Sequence, residues 1–424
     1  MKKKAMTIEL SNENPFSKGY FYASLELPAT EYEIRDALQQ LRQKSAHITP
    51  DQISVYDSKY IHELNDKRLD SPSIDELNFL AKRLVSMDED DMAIMKALCF
   101  KHVKDEDEFI SIKDLINMTY GLDSVSVLSN VTNHSQLGEF VIENAMQDDV
   151  ASVPENARYL LDKERIGKLQ CAMDGGVYSG KFYVCTDHFE MPKVYDGQTL
   201  PETPHEQWFG FRILVSEAPE GDEPNEENAE WISLPMQEYQ FKEIAKRHGE
   251  VDIRNLVYYD FESSVAQITT DDFTQMQDIE KLNALAFKMA EMSPDEQITF
   301  KAALEAERKH GINLDDMLNI SNNLYRYEMS TGCDSASDFF KEYLLTHMDT
   351  KFDERWLDTL NCRREGEELL ARIGATVTDY GIISACDGSL YKIVSTEPEV
   401  TETEDTSADE DEDLGEDEGM AMSL

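Results

Sequence analysis

Positive charge is what this chain has least of. It carries 40 Lys and Arg against 86 Asp and Glu in 424 residues, a net of −46. That balance argues against binding DNA, RNA or an anionic membrane, whose phosphates would be repelled, and it favours a basic partner. Acidity also keeps a chain soluble, because charge runs are usually solvated faces. No apolar run approaches the length of a membrane span. The opening MKKKAMTIELS has a basic flank but no apolar stretch of a secretory leader. The six cysteines form no CxxC pair and no even framework, so reduced thiols in a cytoplasmic protein are expected. GxGxxG, Walker A, HExxH and GxSxG are all absent. Cys185 with His188 is the nearest thing to a metal pair, and no second pair stands at usable spacing. Carboxylates are so abundant that no two stand out as a general acid and base. The expectation is therefore no cofactor, no metal and no enzymatic activity.

What is present is a helix pair, twice. Residues 73–98 read SIDELNFLAKRLVSMDEDDMAIMKAL, and residues 277–304 read QDIEKLNALAFKMAEMSPDEQITFKAAL. Leu77, Leu80, Ala81 and Leu84 recur at i, i+3, i+4 and i+7, as do Leu282, Leu285, Ala286 and Met289. That spacing puts each set on one helical face. Asp88 with Asp91, and Ser293-Pro294-Asp295-Glu296, cap the second helix of each pair. Asp88-Glu89-Asp90-Asp91 lacks the alternating ligands and glycine of an EF-hand loop. Capping is the simpler role for Asp88 and Asp91, and Asp105-Glu106-Asp107-Glu108 reads as a solvated loop.

The segments around the pair also recur, about 200 residues apart. Residues 19–27 alternate as a strand, Thr30 with Glu33 caps a helix, and residues 53–56 read as a second strand. Residues 209–216 answer the first strand. Leu234-Pro235-Met236-Gln237-Glu238-Tyr239 answers Leu27-Pro28-Ala29-Thr30-Glu31-Tyr32. Between them lies an acidic loop, 217–230, with seven carboxylates and no basic residue. After each helix pair comes a third unit that closes on a hairpin, at residues 174–184 and 374–384, where Gly175 and Gly176 suit a turn. Trp208, Trp231 and Trp356 sit at element ends and read as core. The chain divides into an extension at 1–16, a first copy at 17–200, a second at 201–395, and a disordered acidic tail at 396–424. The tail's 13 carboxylates account for part of the charge and leave the rest of the chain at −33.

One set of residues resembles a known family. Leu137-Gly138-Glu139-Phe140, then Glu143, Pro154-Glu155, Tyr159, Asp162 and Glu164 through Ile166-Gly167, is similar to the C-terminal part of the ArdA antirestriction proteins. That family shows a Leu-Gly-x-aromatic motif, a Pro-Glu turn, an aromatic and acidic run ending in Gly, and a closing hairpin. Val177 to Val184 resembles the hairpin, and Val377-Thr378-Asp379-Tyr380-Gly381 resembles it in the second copy. The strand from Tyr20 to Leu27 and the helix near Leu77 fit the family's earlier parts. Lys163 departs from the family's aromatic, and Phe339-Phe340-Lys341 replaces the Leu-Gly motif in the second copy.

The resemblance implies an elongated α+β fold. It would hold two tandem ArdA-like copies, each of small α/β subdomains around a central helix pair. It also implies a DNA mimic that occupies the DNA-binding groove of type I restriction–modification enzymes and protects incoming mobile-element DNA. Duplex DNA carries one charge per roughly 1.7 Å, so −33 would match on the order of 55 Å of it. Leu137, Gly138, Glu139, Phe140 and Glu143 would then shape an interface, with Glu139 the most exposed; helix-face burial is the other reading of Leu137 and Phe140. Asp88, Glu89, Asp90, Asp91, Asp105, Glu106, Asp107, Glu108, Asp148 and Asp149 would supply acidic surface. A homodimer and an intrachain pseudo-dimer both fit. Two other functions stay open: an acidic scaffold or chaperone for a basic protein, and a hydrolase using a carboxylate pair.

Overall fold

The computed structural model describes residues 3–14, 19–42, 52–65, 69, 72–102, 111–201, 208–217, 228–347 and 359–386. The tail at 396–424, most of the acidic 217–230 segment, Asp105, Glu106, Asp107, Glu108 and Trp356 lie outside the described residues. The class is α+β.

The first repeat begins with β1 (Met6–Glu13), β2 (Tyr20–Leu27), α1 (Glu31–Gln40) and β3 (Gln52–Ser58). The strands form an antiparallel sheet in the order β2–β1–β3. Met6, Ile8 and Leu10 are fully buried, at the period of two that a sheet with one buried face requires. Residues 6–13 are thus the centre of the sheet rather than part of an extension at 1–16. Lys4 before them donates to the Glu26 and Pro28 carbonyls and to Glu33, and the alternation of Met6, Ile8 and Leu10 carried the strand signal.

The helix pair follows as α2 (Ile74–Ser86) and α3 (Glu89–His102), then α4 (Ile112–Met118). Leu77, Leu80, Ala81 and Leu84 are all completely buried, and burying each leucine contributes about 1.5–3 kcal/mol. Ser73 and Glu76 close a capping box on α2, and the Asp91 amide donates to Asp88 at 2.9 Å across the turn into α3. Asn78 on α2 clamps the chain entering α1: its side chain accepts from the Ala29 amide at 2.7 Å and donates to the Ala29 carbonyl at 2.9 Å. The repeat ends with β4 (Ser126–Ser129), α5 (His134–Glu143), α6 (Asp148–Ala151), α7 (Lys163–Met173), β5 (Val177–Ser179) and β6 (Phe182–Cys185), with sheet order β4–β6–β5.

The second repeat retraces this path. It runs β7 (Phe211–Ser216), β8 (Glu230–Leu234), α8 (Glu238–Arg247), β9 (Val257–Ser263), α9 (Ile279–Glu291), α10 (Pro294–Arg308) and α11 (Leu314–Asn322). It closes with β10 (Tyr327–Ser330), α12 (Ala336–His347), α13 (Arg363–Ile373), β11 (Thr376–Thr378) and β12 (Gly381–Ala385). Its sheets have the orders β8–β7–β9 and β10–β12–β11, matching the first repeat strand for strand. Asn283 clamps Met236 as Asn78 clamps Ala29, at 2.7 and 2.9 Å. The central strand β7 therefore answers β1, not residues 19–27, and β8 answers β2. The acidic segment joins β7 to β8, and Glu230 belongs to the strand, where it pairs with Arg247.

The two repeats meet through different faces. Helix α1 of the first lies against α10 and the β11–β12 hairpin of the second. At the centre, Lys301 donates to Asp36 at 2.5 Å and to Gln39 at 2.7 Å, all three buried. The Tyr380 hydroxyl donates to the same Asp36 oxygen at 2.7 Å and accepts from Gln267 at 2.6 Å. Burial lowers the Lys301 pKa and raises that of Tyr380. Around this centre the Phe209 amide donates to the Tyr32 hydroxyl at 3.1 Å, and Arg42 donates to the Asp379 carbonyl. Asn14 reaches Asp334 at 3.3 Å. The contact is heterologous, unlike the same-face contact of a two-fold dimer.

Two carboxyls at this junction, and Glu307 elsewhere on α10, are held above their usual range. Burial pushes Glu305 up to about 7 against the opposing Asp379 amide. Burial, then neighbouring Asp338, pushes Asp334 up to about 6, and burial pushes Glu307 up to about 6. In that window these three groups hold more protons in the folded chain than in the unfolded one, so their contribution to stability falls as pH rises from about 4.5 to 7. Glu305→Gln is expected to flatten part of that fall. Urea midpoints at pH 5 and pH 8 check it; an equal pH dependence in both proteins contradicts it.

Candidate functional site

Carboxylates collect at helix starts for a local reason. The exposed amides of a first turn favour negative charge, by about 0.3–1 kcal/mol each at a surface. Asp75 and Glu76 open α2, Glu89, Asp90 and Asp91 open α3, Asp148 and Asp149 open α6, Asp295 and Glu296 open α10, and Asp315 and Asp316 open α11. Of the acidic-surface residues expected from sequence, Asp88, Glu89, Asp90, Asp148 and Asp149 are exposed, and Asp91 is half-buried. Burial, then the charges of Asp88 and Asp123, raise the Asp91 carboxyl above its usual range. Like charges are therefore crowded at this turn.

Some of the scarce cations are held by carboxylates. Lys163 meets Glu139 at 2.5 Å, Lys168 meets Glu164 at 2.6 Å, and Lys242 meets Glu238 at 2.6 Å. Arg247 meets Glu230 at 2.8 Å and Lys281 meets Asp315 at 2.7 Å. Arg363 and Arg364 pair with Glu367 and Glu368 one turn on, both at 3.0 Å, and Lys181 pairs with Glu89. Each such surface pair is worth only about 0–1 kcal/mol. Their larger effect is on the field: the excess charge stays on exposed acids on both repeats, among them Glu9, Glu26, Asp57, Asp75, Asp123, Glu291 and Asp295.

The five motif residues divide between inside and outside. Leu137 is 1% exposed and packs in a small core with Val141, Ile142 and Tyr183. Gly138 sits where α5 crosses α7, and a Cβ there would lie 1.7 Å from the Lys163 carbonyl oxygen. Gly167 is its partner: a Cβ on it would lie 1.8 Å from the His134 carbonyl oxygen. Asp162 caps α7 by accepting from the Arg165 amide at 3.1 Å. Leu137 and Gly138 are therefore spent on packing inside the repeat. Glu139 and Glu143 are exposed, Phe140 is half-buried, and Tyr159 is 77% exposed. In the second repeat Gly366 meets Ala336 as Gly167 meets His134, but Phe340 stands where α5 has Gly138.

Cys185 bonds weakly to Asp174 at 3.6 Å, and His188 is exposed nearby. Among the described residues, no three His, Cys, Asp or Glu side chains gather to hold a metal. No described helix is long and apolar enough to cross a membrane. Trp208 and Trp231 are 38% and 43% exposed, so they lie at the surface and not in the core. Sequence reasoning missed Asp36, Lys301 and Tyr380, the residues that join the repeats.

Comparison of the chain with protein-family models finds no match, and comparison with curated proteins finds none either.

Gly138→Ala must push α5 and α7 apart, because the obstacle is backbone. A loss of at least about 2 kcal/mol is expected, against less than about 0.5 kcal/mol for exposed Glu143→Ala. Chemical denaturation of both variants checks this.

Proposed function

We propose that this chain is an antirestriction DNA mimic, similar in kind to the ArdA proteins. It would enter the DNA-binding groove of a type I restriction–modification enzyme in the cytoplasm of a cell receiving mobile-element DNA. One observation carries the reading: exposed carboxylates stand on both repeats, and several of the few cations are already held in ion pairs with other carboxylates. Lysines and arginines that line a DNA groove would meet carboxylates in place of phosphates. The gain would be many weak contacts and fast electrostatic steering, both reduced by salt. No bond is made or broken in this role, and no nucleic acid is bound, since the chain repels it.

The resemblance of residues 137–167 to the ArdA motif adds the choice of target. Glu139, Phe140 and Glu143 remain accessible to a partner there. Charge alone fits a scaffold for a basic protein equally well; the motif order is what favours the mimic.

The test is plating of unmodified phage on cells with a type I restriction system. Plaque counts should rise with the full chain and with a chain lacking 396–424. Neutralising Asp88 or Asp148 alone should change the count by less than about threefold, because each surface charge contributes little. Neutralising Asp88, Glu89, Asp90, Asp148 and Asp149 together should lower it strongly. No protection by well-expressed protein against several type I systems rejects the reading.

A further inference from the structure

The contact between the repeats has two sides, and each repeat carries both. The donor side is the helix after the second strand, α1 or α8. The acceptor side is the cleft beside α3 and the β5–β6 hairpin, or beside α10 and the β11–β12 hairpin. The caps set the correspondence. Tyr32 and Asp36 stand two and six residues after Thr30, as Tyr239 and Glu243 stand after Gln237. Arg42 and Gly249, twelve residues on, both have positive φ, at 62° and 74°. Lys96 stands eight residues after Asp88, as Lys301 stands eight after Ser293.

Among the described residues one of the two possible contacts is made. The acceptor cleft of the second repeat takes Tyr32 and Arg35 of α1, and about 30 Å³ remains unfilled. The same cleft in the first repeat is lined by first-repeat residues alone and has a volume of about 750 Å³. Its floor is apolar, with Val85, Met87 and Met92, and its rim carries Lys59, Lys96 and Lys181 together with Asp88 and Glu89, the last of which pairs with Lys181. The unused donor is α8. Tyr239 is 61% exposed where Tyr32 is 8% exposed, and Glu243 is exposed where Asp36 is buried.

We infer that a second copy of this chain seats its α8 in the open first-repeat cleft, with Tyr239 on the apolar floor and Glu243 on Lys96, as Tyr32 and Asp36 sit within one chain. The signs agree: Glu243 faces Lys96 as Asp36 faces Lys301. Helix α8 itself carries Glu238 and Glu243 against Lys242, Lys246 and Arg247, so the charge match is local to Glu243. Because the contact is heterologous, joining two chains leaves a free donor at one end and a free cleft at the other, so growth continues or closes into a ring. Three exchanges weaken it relative to the internal contact. Lys246 stands where Gln39 accepts from Lys301, Phe100 stands where Glu305 does, and Gly249 stands where Arg42 donates to the Asp379 carbonyl. The internal contact is also tethered, which raises its effective concentration. This inference does not depend on the antirestriction reading.

Sedimentation of the full chain over a wide concentration range tests it. Mass should rise with concentration to species larger than one chain. Glu243→Lys and Lys96→Glu should each weaken association about tenfold, and the double charge swap should restore it to within about threefold. Tyr239→Ala, an exposed change with no folding role, should weaken it as well and serves if Lys96→Glu does not fold. No association of the full chain at the highest concentration reached, or association unchanged by Glu243→Lys and Tyr239→Ala, overturns the inference.

Discussion

An ammonium and a carboxylate shut away from water between two repeats set the terms for the rest of this chain. Lys301 and Asp36 lie at 2.5 Å, with Gln39 also accepting from Lys301 and with Gln40 and Tyr380 donating to Asp36. Taking both charges out of water costs several kcal/mol per ion, and the pair recovers this only with close geometry and full hydrogen bonding. That demand makes the contact specific. A rotation of α1 by one residue would leave Asp36 or Lys301 buried and alone, so the two repeats are held in one arrangement rather than strung as independent units.

The same scarcity of cations shapes the outside. With 40 basic residues for 86 acidic ones, a cation placed in a pair leaves still fewer to neutralise the surface. The fold accommodates the excess where backbone polarity welcomes it, at helix starts, and on the outward positions of strands such as Glu9 and Glu26. Acidic surface and stable fold are thus compatible locally, helix by helix. The remaining self-repulsion acts over the whole molecule and weakens with salt.

Legibility in the sequence followed range. The helix pairs, their caps and the closing hairpins could be read because their signals repeat within four to seven residues: Leu77 to Leu84, Ser293 to Glu296, Val177 to Val184. The strand of residues 6–13 was hidden by the basic flank beside it, and its loss shifted the matching of the second repeat by one strand. Asp36 and Lys301 are 265 residues apart, and each looks like an ordinary polar residue on an amphipathic helix. Nothing local marks them as partners. The Leu137-Gly138 motif was visible, but its physical reason was not, because that reason is the backbone of α7 pressing on a position with no room for a side chain.

A double-mutant cycle at the junction tests the account most directly. Asp36→Asn, Lys301→Met and the pair would be compared by urea unfolding of the full chain at pH 7. Each single change strands a buried polar partner and should cost about 3–5 kcal/mol. The double change should cost less than the sum by at least about 1.5 kcal/mol. Additive losses, or single losses below about 1 kcal/mol, would mean that the two side chains do not share a buried contact and that the repeats are not joined in this way.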